Sequence, residues 1–186
     1  MPPPISVNLV AYDTNWPHLA EMEAVRLQVL GSCLVGIHHI GSTSVPGLAA
    51  KPIIDLMPLV TDLRELDAQR PRLEALGYVW HGELGIAGRR YCTISDEFGI
   101  RRIQAHFFEA GSPQVERHIA FRDYLRAHPE AAAAYENEKR RAQKLYPNDS
   151  HAYTDEKNPW IRDTEARALL WFSKQQITRD HHSMPD

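Results

Sequence analysis

The spacing of apolar residues changes along this 186-residue chain, and each spacing is typical of a different element. Apolar positions recurring every three or four residues indicate amphipathic helices, and short runs of Val, Ile and aromatic residues indicate strands. The first helix has an apolar face that includes Met22, Val25 and Leu30. In chain order the pattern predicts a helix over 16–31, strands over 34–40 and 53–60, a helix over 63–76, strands from 78 and over 89–95 and 101–109, and helices over 115–128, 129–145 and 158–176.

This order of elements predicts an α+β fold. We expect a mixed β-sheet with helices packed on one face, followed by a helical C-terminal region. The pair Asn158-Pro159 predicts the N-cap and first residue of the last helix. The length favours one domain over 1–186 with its core over about 7–170, and a disordered tail is expected from about Thr178.

The overall composition excludes several classes of protein. Lys and Arg total 21 against 24 Asp and Glu, so the net charge of −3 provides no broad positive field and makes nucleic acid an unlikely partner. No apolar stretch is long enough to cross a membrane. Two cysteines and the lack of a signal-peptide pattern predict a reduced, cytoplasmic protein. The oligomeric state stays open.

The loop over 41–52, GSTSVPGLAAKP, is the candidate ligand-binding segment. Gly41 would let the backbone approach a ligand closely, and the turn's N–H groups could hold phosphate oxygens. The hydroxyls that would assist are those of Ser42, Thr43 and Ser44. Asp55 stands alone in the apolar strand that follows, where a carboxylate needs a partner, a metal ion or a proton. A hard cation such as Mg²⁺ commonly bridges a carboxylate to phosphate.

Residues of other strands could complete this site. If the strands are neighbours, His39, Asp55 and His106 could converge and hold a divalent cation, with Mg²⁺, Mn²⁺ and Zn²⁺ all suited to such ligands. Alternatively, His106 could act as a general base. Each of these residues could instead be a hydrogen-bonded structural residue. The basic residues that could neutralise phosphate charge are Lys51, Arg89, Arg90, Arg101 and Arg102.

The segment from Ile40 to Met57 resembles the signature of the polymerase-beta-like nucleotidyltransferase superfamily. That signature is a hydrophobic residue, Gly and Gly or Ser, then about a dozen residues, then acid, hydrophobic residue, acid. Here Ser42 and Asp55 are separated by 12 residues, but Met57 stands where the second acid would be. Strand alternation places Asp55 and Met57 on one face. The face that would carry two metal-binding carboxylates therefore carries only that of Asp55.

A longer stretch, from about Val7 to Ala168, is similar to the GrpB family, which also occurs fused to dephospho-CoA kinase. The chain differs from the family at His38, where a Glu is expected. The resemblance implies a nucleotidyltransferase-like fold and an activity that is only broadly defined. The segments that carry it are Tyr12 and Trp16, HIGSTSVPGLAAKPIIDL at 39–56, Leu76-Gly77-Tyr78, the His106 strand, FRDYLRAHPEAAAAY at 121–135, and 153–157.

We therefore expect a metal-dependent nucleotidyltransferase-like protein that transfers a nucleotidyl group from an NTP to a small-molecule acceptor. Residues 41–44 would hold the triphosphate, and Lys51, Arg90 and Arg102 would assist. Asp55 would bind the cation with His39 or His106. Two alternatives use the same fold: a non-catalytic module that binds a nucleotide or a CoA-like ligand, which the missing acid favours, and a hydrolase with a His/Asp metal site.

Overall fold

The computed structural model describes residues 3–182, with side chains described for residues 3–178. The described chain forms two compact units, one of residues 8–115 and the other of residues 4–7 and 116 onward. The prediction of a single domain over 1–186 therefore stays a prediction. Among the described helices, none is long and apolar enough to span a membrane.

The first unit is built on a five-stranded mixed sheet with the strand order β1-β2-β5-β4-β3. Strands β2 and β5 are parallel, and the other neighbouring pairs are antiparallel. Its elements are α1 (Trp16–Arg26), a 3-10 helix (Leu27–Cys33), β1 (Leu34–Ile40), a 3-10 turn (Ser42–Ser44), β2 (Ile54–Val60), α2 (Leu63–Ala68), α3 (Arg70–Ala75), β3 (Val79–Trp80), β4 (Arg90–Ser95) and β5 (Arg101–Glu109).

One face of this sheet forms the hydrophobic core with the helices. Leu56 of β2 and Phe107 of β5 pack there with Trp16 of α1, Leu66 of α2 and Leu73 of α3, and all five are buried. We call this the helix-side face. Because successive strand residues point to opposite faces, the neighbours of Leu56 and Phe107 point to the other face. The α+β class, the mixed sheet with helices on one face, and the helical C-terminal region are confirmed.

The second unit contains α4 (Pro113–Ala127) from residue 116 onward, α5 (Pro129–Leu145) and α6 (Ser150–His182). Tyr135 of α5 stacks on Trp160 of α6 with ring centres 5.0 Å apart. Arg117 of α4 forms an ion pair with Glu165 of α6. The three helices are thus joined by both apolar and charged contacts.

Several predicted helix boundaries differ from the structure, including the end of α1, which lies at Arg26 and is followed by a 3-10 helix to Cys33. The helix predicted over 63–76 is divided at Gln69, because Pro71 lies in the first turn of α3 and cannot donate a backbone hydrogen bond. The predicted start of the last helix at Asn158 is wrong, since α6 begins at Ser150 and contains Pro159. The Asp149 carboxylate accepts hydrogen bonds from the backbone N–H groups of His151 and Ala152 and so caps the start of α6.

The predicted disordered tail lies partly outside the described residues. It was expected from about Thr178, whereas α6 continues to His182. Residues 183–186 are outside the described part of the chain. The tail beyond His182 therefore stays a prediction.

Candidate functional site

Gly41 and Asp55 lie against each other at the candidate site. Gly41 follows β1, and Asp55 lies in β2 opposite Ile40. Gly41 adopts φ +70° and ψ −173°. A Cβ placed on Gly41 would lie 2.9 Å from both the Cβ and the Cγ of Asp55, and closer still to its Oδ2. Only glycine therefore lets the turn's backbone lie against this carboxylate.

The turn after Gly41 is held by its own hydroxyl groups. Ser44 Oγ donates to the Gly41 carbonyl oxygen at 2.6 Å, and Thr43 Oγ1 lies 2.9 Å from Nε2 of His39. Both Thr43 and Ser44 are buried, whereas Ser42 is partly exposed. Of the three hydroxyls predicted to bind phosphate, Ser42 is the one that a ligand can reach most directly.

His39 does not lie beside Asp55. The register pairs His39 with Leu56, and directly opposite residues of antiparallel strands share a face. His39 therefore lies on the helix-side face and Asp55 on the other. The preceding residue, His38, is paired with Met57 and lies on the same face as Asp55. Within residues 3–182, no group of three or more His, Cys, Asp or Glu side chains could hold a metal ion. The structure therefore does not bring His39, Asp55 and His106 together as one set of metal ligands.

His106 of β5 does reach Asp55. Its Nε2 lies 3.6 Å from Asp55 Oδ1, and its Nδ1 lies 3.3 Å from Nη1 of Arg89. Arg89 is buried and also donates to the carbonyl oxygens of Glu83 and Leu84. A guanidinium can only donate hydrogen bonds. Nδ1 of His106 is therefore the acceptor, which places the ring N–H on Nε2, toward Asp55.

Tyr91 of β4 lies between the basic residues of this face. It pairs with His106 in the sheet, and the ring centres are 5.0 Å apart. The guanidinium carbon of Arg89 lies 5.0 Å from the centre of the Tyr91 ring. Burial raises the pKa of Tyr91 to about 12, although the positive charge of Arg101 acts in the opposite direction. Tyr91 is not among the site residues predicted from the sequence, although its place opposite His106 in the predicted hairpin could have indicated it.

Lys51 and Arg101 add positive charge near Asp55. Burial lowers the pKa of Lys51, the charge of Asp55 acts to raise it, and the charge of Arg101 acts to lower it further. The three side chains are therefore close enough to interact electrostatically. Lys51, which is predicted to assist phosphate binding, therefore lies near Asp55.

The predicted phosphate-binding residues Arg90 and Arg102 lie elsewhere. Arg90 pairs with Phe107 on the helix-side face, and it donates two hydrogen bonds to Asp67 of α2, at 2.6 and 2.8 Å. Arg102 donates to Asp96 at the end of the hairpin, at 2.8 Å, and is about half exposed (47%). In each Arg-Arg pair the other member, Arg89 or Arg101, lies at the site. The register between β4 and β5 shifts between Ile94 and Ser95. Such an irregularity changes the face to which the residues at this end of the strands point.

The donors at Asp55 fit a cation that binds together with phosphate. Mg²⁺ is usually held by one or two carboxylates plus substrate phosphates, and Asp55 provides one carboxylate. A resident Zn²⁺ needs three or four protein ligands, which the residues around Asp55 do not supply. The donor set thus suits Mg²⁺ or Mn²⁺ carried by a nucleotide better than Zn²⁺.

Comparison with known proteins identifies the family. The model of the family described as GrpB protein matches residues 6–167. UPF0157 protein YqkA of Bacillus subtilis is 39% identical over 170 residues, which cover 91% of this chain and 49% of YqkA. A dephospho-CoA kinase of Mycolicibacterium paratuberculosis is 32% identical over 189 residues, covering 89% of this chain and 46% of the kinase. The chain thus spans about half the length of these two relatives.

Solved structures share the fold. The conserved protein GrpB from Enterococcus faecalis superposes with a TM-score of 0.83 at 34% identity, covering 89% of this chain and 99% of that one. Cid1 poly(U) polymerase with Mg 3′-dATP bound superposes with a TM-score of 0.50 at 12% identity, covering 76% of this chain and 45% of Cid1. At such low identity the second similarity concerns the fold alone. The chain belongs to the GrpB family, which has relatives joined to dephospho-CoA kinase, and it has a nucleotidyltransferase-like fold.

Proposed function

We propose that this protein binds the phosphates of a nucleotide, together with one divalent cation, at Asp55 and the turn Ser42–Ser44, and that it transfers the nucleotidyl group to a small-molecule acceptor. The observation that carries the proposal is the packing of the Gly41 backbone against the Asp55 carboxylate. It brings the start of a turn with N–H groups next to a cation ligand. Phosphate oxygens and a cation need these two elements side by side.

The proposed role of each residue follows from its position in the site. Asp55 would hold the cation, which when bound neutralises phosphate charge and polarises the phosphorus–oxygen bonds. The backbone at Gly41 and the Ser42 hydroxyl would bind phosphate oxygens. His106 and Arg89 would keep the Asp55 side chain in place through the contacts at 3.6 and 3.3 Å.

Binding without transfer is the second candidate function, and Met57 favours it. Met57 is completely buried in β2, on the same face as Asp55, where a second carboxylate would complete a two-metal site. A protein with one carboxylate can bind a nucleotide and its cation, and a CoA-like ligand carries similar phosphates.

Both cysteines, Cys33 and Cys92, are buried free thiols, which fits the expected cytoplasmic location.

The binding proposal is tested by calorimetric titration of the four common NTPs, with and without Mg²⁺ or Mn²⁺. We expect at least one NTP to bind more tightly with the cation present. Asp55→Asn should lose this cation-dependent gain, by about tenfold or more, because the neutral amide lacks the negative charge that holds the cation. Asp67→Asn is the matched control, since Asp67 pairs with Arg90 on the helix-side face, and its affinity should not change.

The binding proposal fails if the wild-type protein binds no NTP, or if Asp55→Asn binds as the wild type does. Transfer is tested separately by following pyrophosphate release from labelled NTP with candidate acceptors. Tight binding with no release under any acceptor would leave the binding module as the function.

A further inference from the structure

Arg101 has a buried donor without a partner. In the part of the chain whose side chains are described, its Nε is the one buried side-chain N or O atom that makes no hydrogen bond. Native proteins pair nearly all such atoms, so an exception needs a physical explanation, such as local strain, a water molecule, an ion or a ligand. Arg101 is therefore poised to receive an acceptor atom that comes from outside the chain.

The surroundings of Arg101 select an anion. Its positive charge acts on both Lys51 and Tyr91, and both of these also sense the charge of Asp55. Lys51 and Arg101 together carry two positive charges against the single negative charge of Asp55. A cation at Asp55 would make this region still more positive. The local charge is thus opposite in sign to the net charge of −3 for the whole chain, and it suits an oxyanion.

A neutral acceptor, such as a hydroxyl group, would need a general base to take its proton, but the basic nitrogen of His106 already accepts a hydrogen bond. The Nδ1 lone pair of His106 accepts from Arg89 at 3.3 Å, and Nε2 carries the ring proton. The ring can therefore not take a proton from an incoming hydroxyl unless Arg89 moves away. Arg89 is fixed by two further hydrogen bonds, at 3.1 and 2.7 Å to backbone carbonyl oxygens. His106 is arranged to position Asp55 and not to act as a general base.

Resting on the proposed function, we propose that the acceptor is itself an oxyanion, a phosphate monoester or a carboxylate, bound by Lys51 and Arg101. Such an acceptor is already ionised near neutral pH and needs no general base. Its oxygen forms a bond to the α-phosphorus of the nucleotide. The bond from that phosphorus to the oxygen bridging to the β-phosphorus breaks, and pyrophosphate leaves with the electron pair.

The anion site is tested with inorganic phosphate and, in a parallel arm, acetate. Each is titrated into ¹⁵N-labelled protein saturated with the best-binding NTP and Mg²⁺, and the arginine Nε–H signals are followed by NMR. We expect the Arg101 signal to shift, and the affinity for phosphate to fall at least tenfold in Arg101→Met. Arg102→Met is the matched control, because Arg102 pairs with Asp96, and it should bind phosphate as the wild type does. A stronger response to acetate would assign the acceptor to carboxylates.

The role of His106 has its own readout. The ¹⁵N shifts of the wild-type ring at neutral pH should show Nε2 protonated and Nδ1 as an acceptor, and Arg89→Met should abolish this preference. A ring protonated on Nδ1 in the wild type would overturn the positioning role. In the transfer assay, a phosphate monoester is compared with the alcohol that lacks its phosphate. Transfer to the alcohol would overturn the oxyanion acceptor.

The outcomes separate the two proposals. If the NTP binds but phosphate displaces it, or if Arg101→Met binds phosphate normally, the inference fails and the proposed function stands. If no NTP binds but phosphate still shifts the Arg101 signal of the unliganded protein, the proposed function fails, and with it the acceptor assignment. The anion site at Arg101 would then remain as an observation of its own.

Discussion

Gly41 is the residue whose replacement tests the architecture of the site most directly. Its φ of +70° and ψ of −173° lie in a region that glycine alone occupies readily, at a cost of about 1–3 kcal/mol for other residues. Gly41→Ala would add a Cβ that overlaps the Asp55 side chain. We expect the melting temperature to fall by several degrees, since about 1 kcal/mol shifts a chain of this size by about 2–4 °C. Calorimetric titration should show NTP affinity reduced at least tenfold.

Gly47→Ala is the control for backbone strain in the same loop. Gly47 also has a positive φ, +79°, but a Cβ there would meet no atom within 4 Å. This variant should lose stability through its backbone while NTP affinity stays within about twofold of the wild type. Equal losses of affinity in both alanine variants would contradict the role assigned to the Gly41–Asp55 contact.

The sequence predicted those site residues that lie close together in the chain. Gly41, Ser42 and Asp55 follow one another across a single loop, so their spacing alone indicates their proximity. The sequence did not predict that Arg89, and not Arg90, lies beside His106, nor did it predict on which face of the sheet His39 lies. Period-two alternation tells which residues of one strand share a face, but the face itself depends on the register with neighbouring strands.

We expect Lys139 of α5 to make the stability of the protein depend on pH. Its side chain is buried, with Nζ 4.9 Å from the centre of the Tyr135 ring, and burial lowers its pKa to about 7. The ordinary lysine pKa is about 10.4. Between these two values the unfolded chain binds a proton that the folded chain does not, so stability rises as the pH rises from about 7.

Lys139→Met should remove this dependence. A methionine of similar length carries no charge to bury, so we expect the variant to be more stable than the wild type by about 1–3 kcal/mol at pH 6.5. The difference should shrink steadily toward pH 9. Urea unfolding at several pH values measures both quantities. Lys144→Met, which changes an exposed lysine of the same helix, should leave the slope unchanged. A destabilised Lys139→Met with the wild-type slope would show that the amine is held in its charged form.

The types of the main elements could be predicted from the sequence, but their exact ends and faces could not. In α1 the apolar pattern assigns Met22 and Val25 to the buried face, yet they are 53% and 70% exposed. Glu23 is buried instead, because Tyr78 donates a hydrogen bond to its carboxylate at 2.7 Å. Such a partner lies 55 residues away in the chain, so no local pattern can reveal it. Tertiary contacts of this kind decide which face of a weakly amphipathic helix is buried.

Across the whole molecule, positive charge is concentrated at few places. The most basic run of the chain, in α5, includes Lys139, Arg140 and Arg141. Lys139 is buried, Arg140 pairs with Glu136, and Arg141 pairs with both Glu138 and Glu156. This run therefore offers a polyanion little positive charge that is not already neutralised. A chain with a net charge of −3 repels a nucleic acid at long range, whereas the acceptor proposed above is a single small anion.

This charge distribution predicts that the acceptor is not RNA, although the fold is shared with a poly(U) polymerase. Fluorescence anisotropy with a labelled 15-residue oligo(U) at 0.15 M salt should show no binding tighter than about 100 μM, the weak end of non-specific association. Lowering the salt should strengthen the interaction only slightly, because few phosphates are neutralised. An NTP with Mg²⁺ should bind in the same buffer, which shows that the protein is active for binding. Micromolar oligo(U) binding that weakens by a factor of 1,000 or more between about 50 and 200 mM salt would require several phosphate contacts, and it would replace the small-molecule acceptor with a nucleic acid.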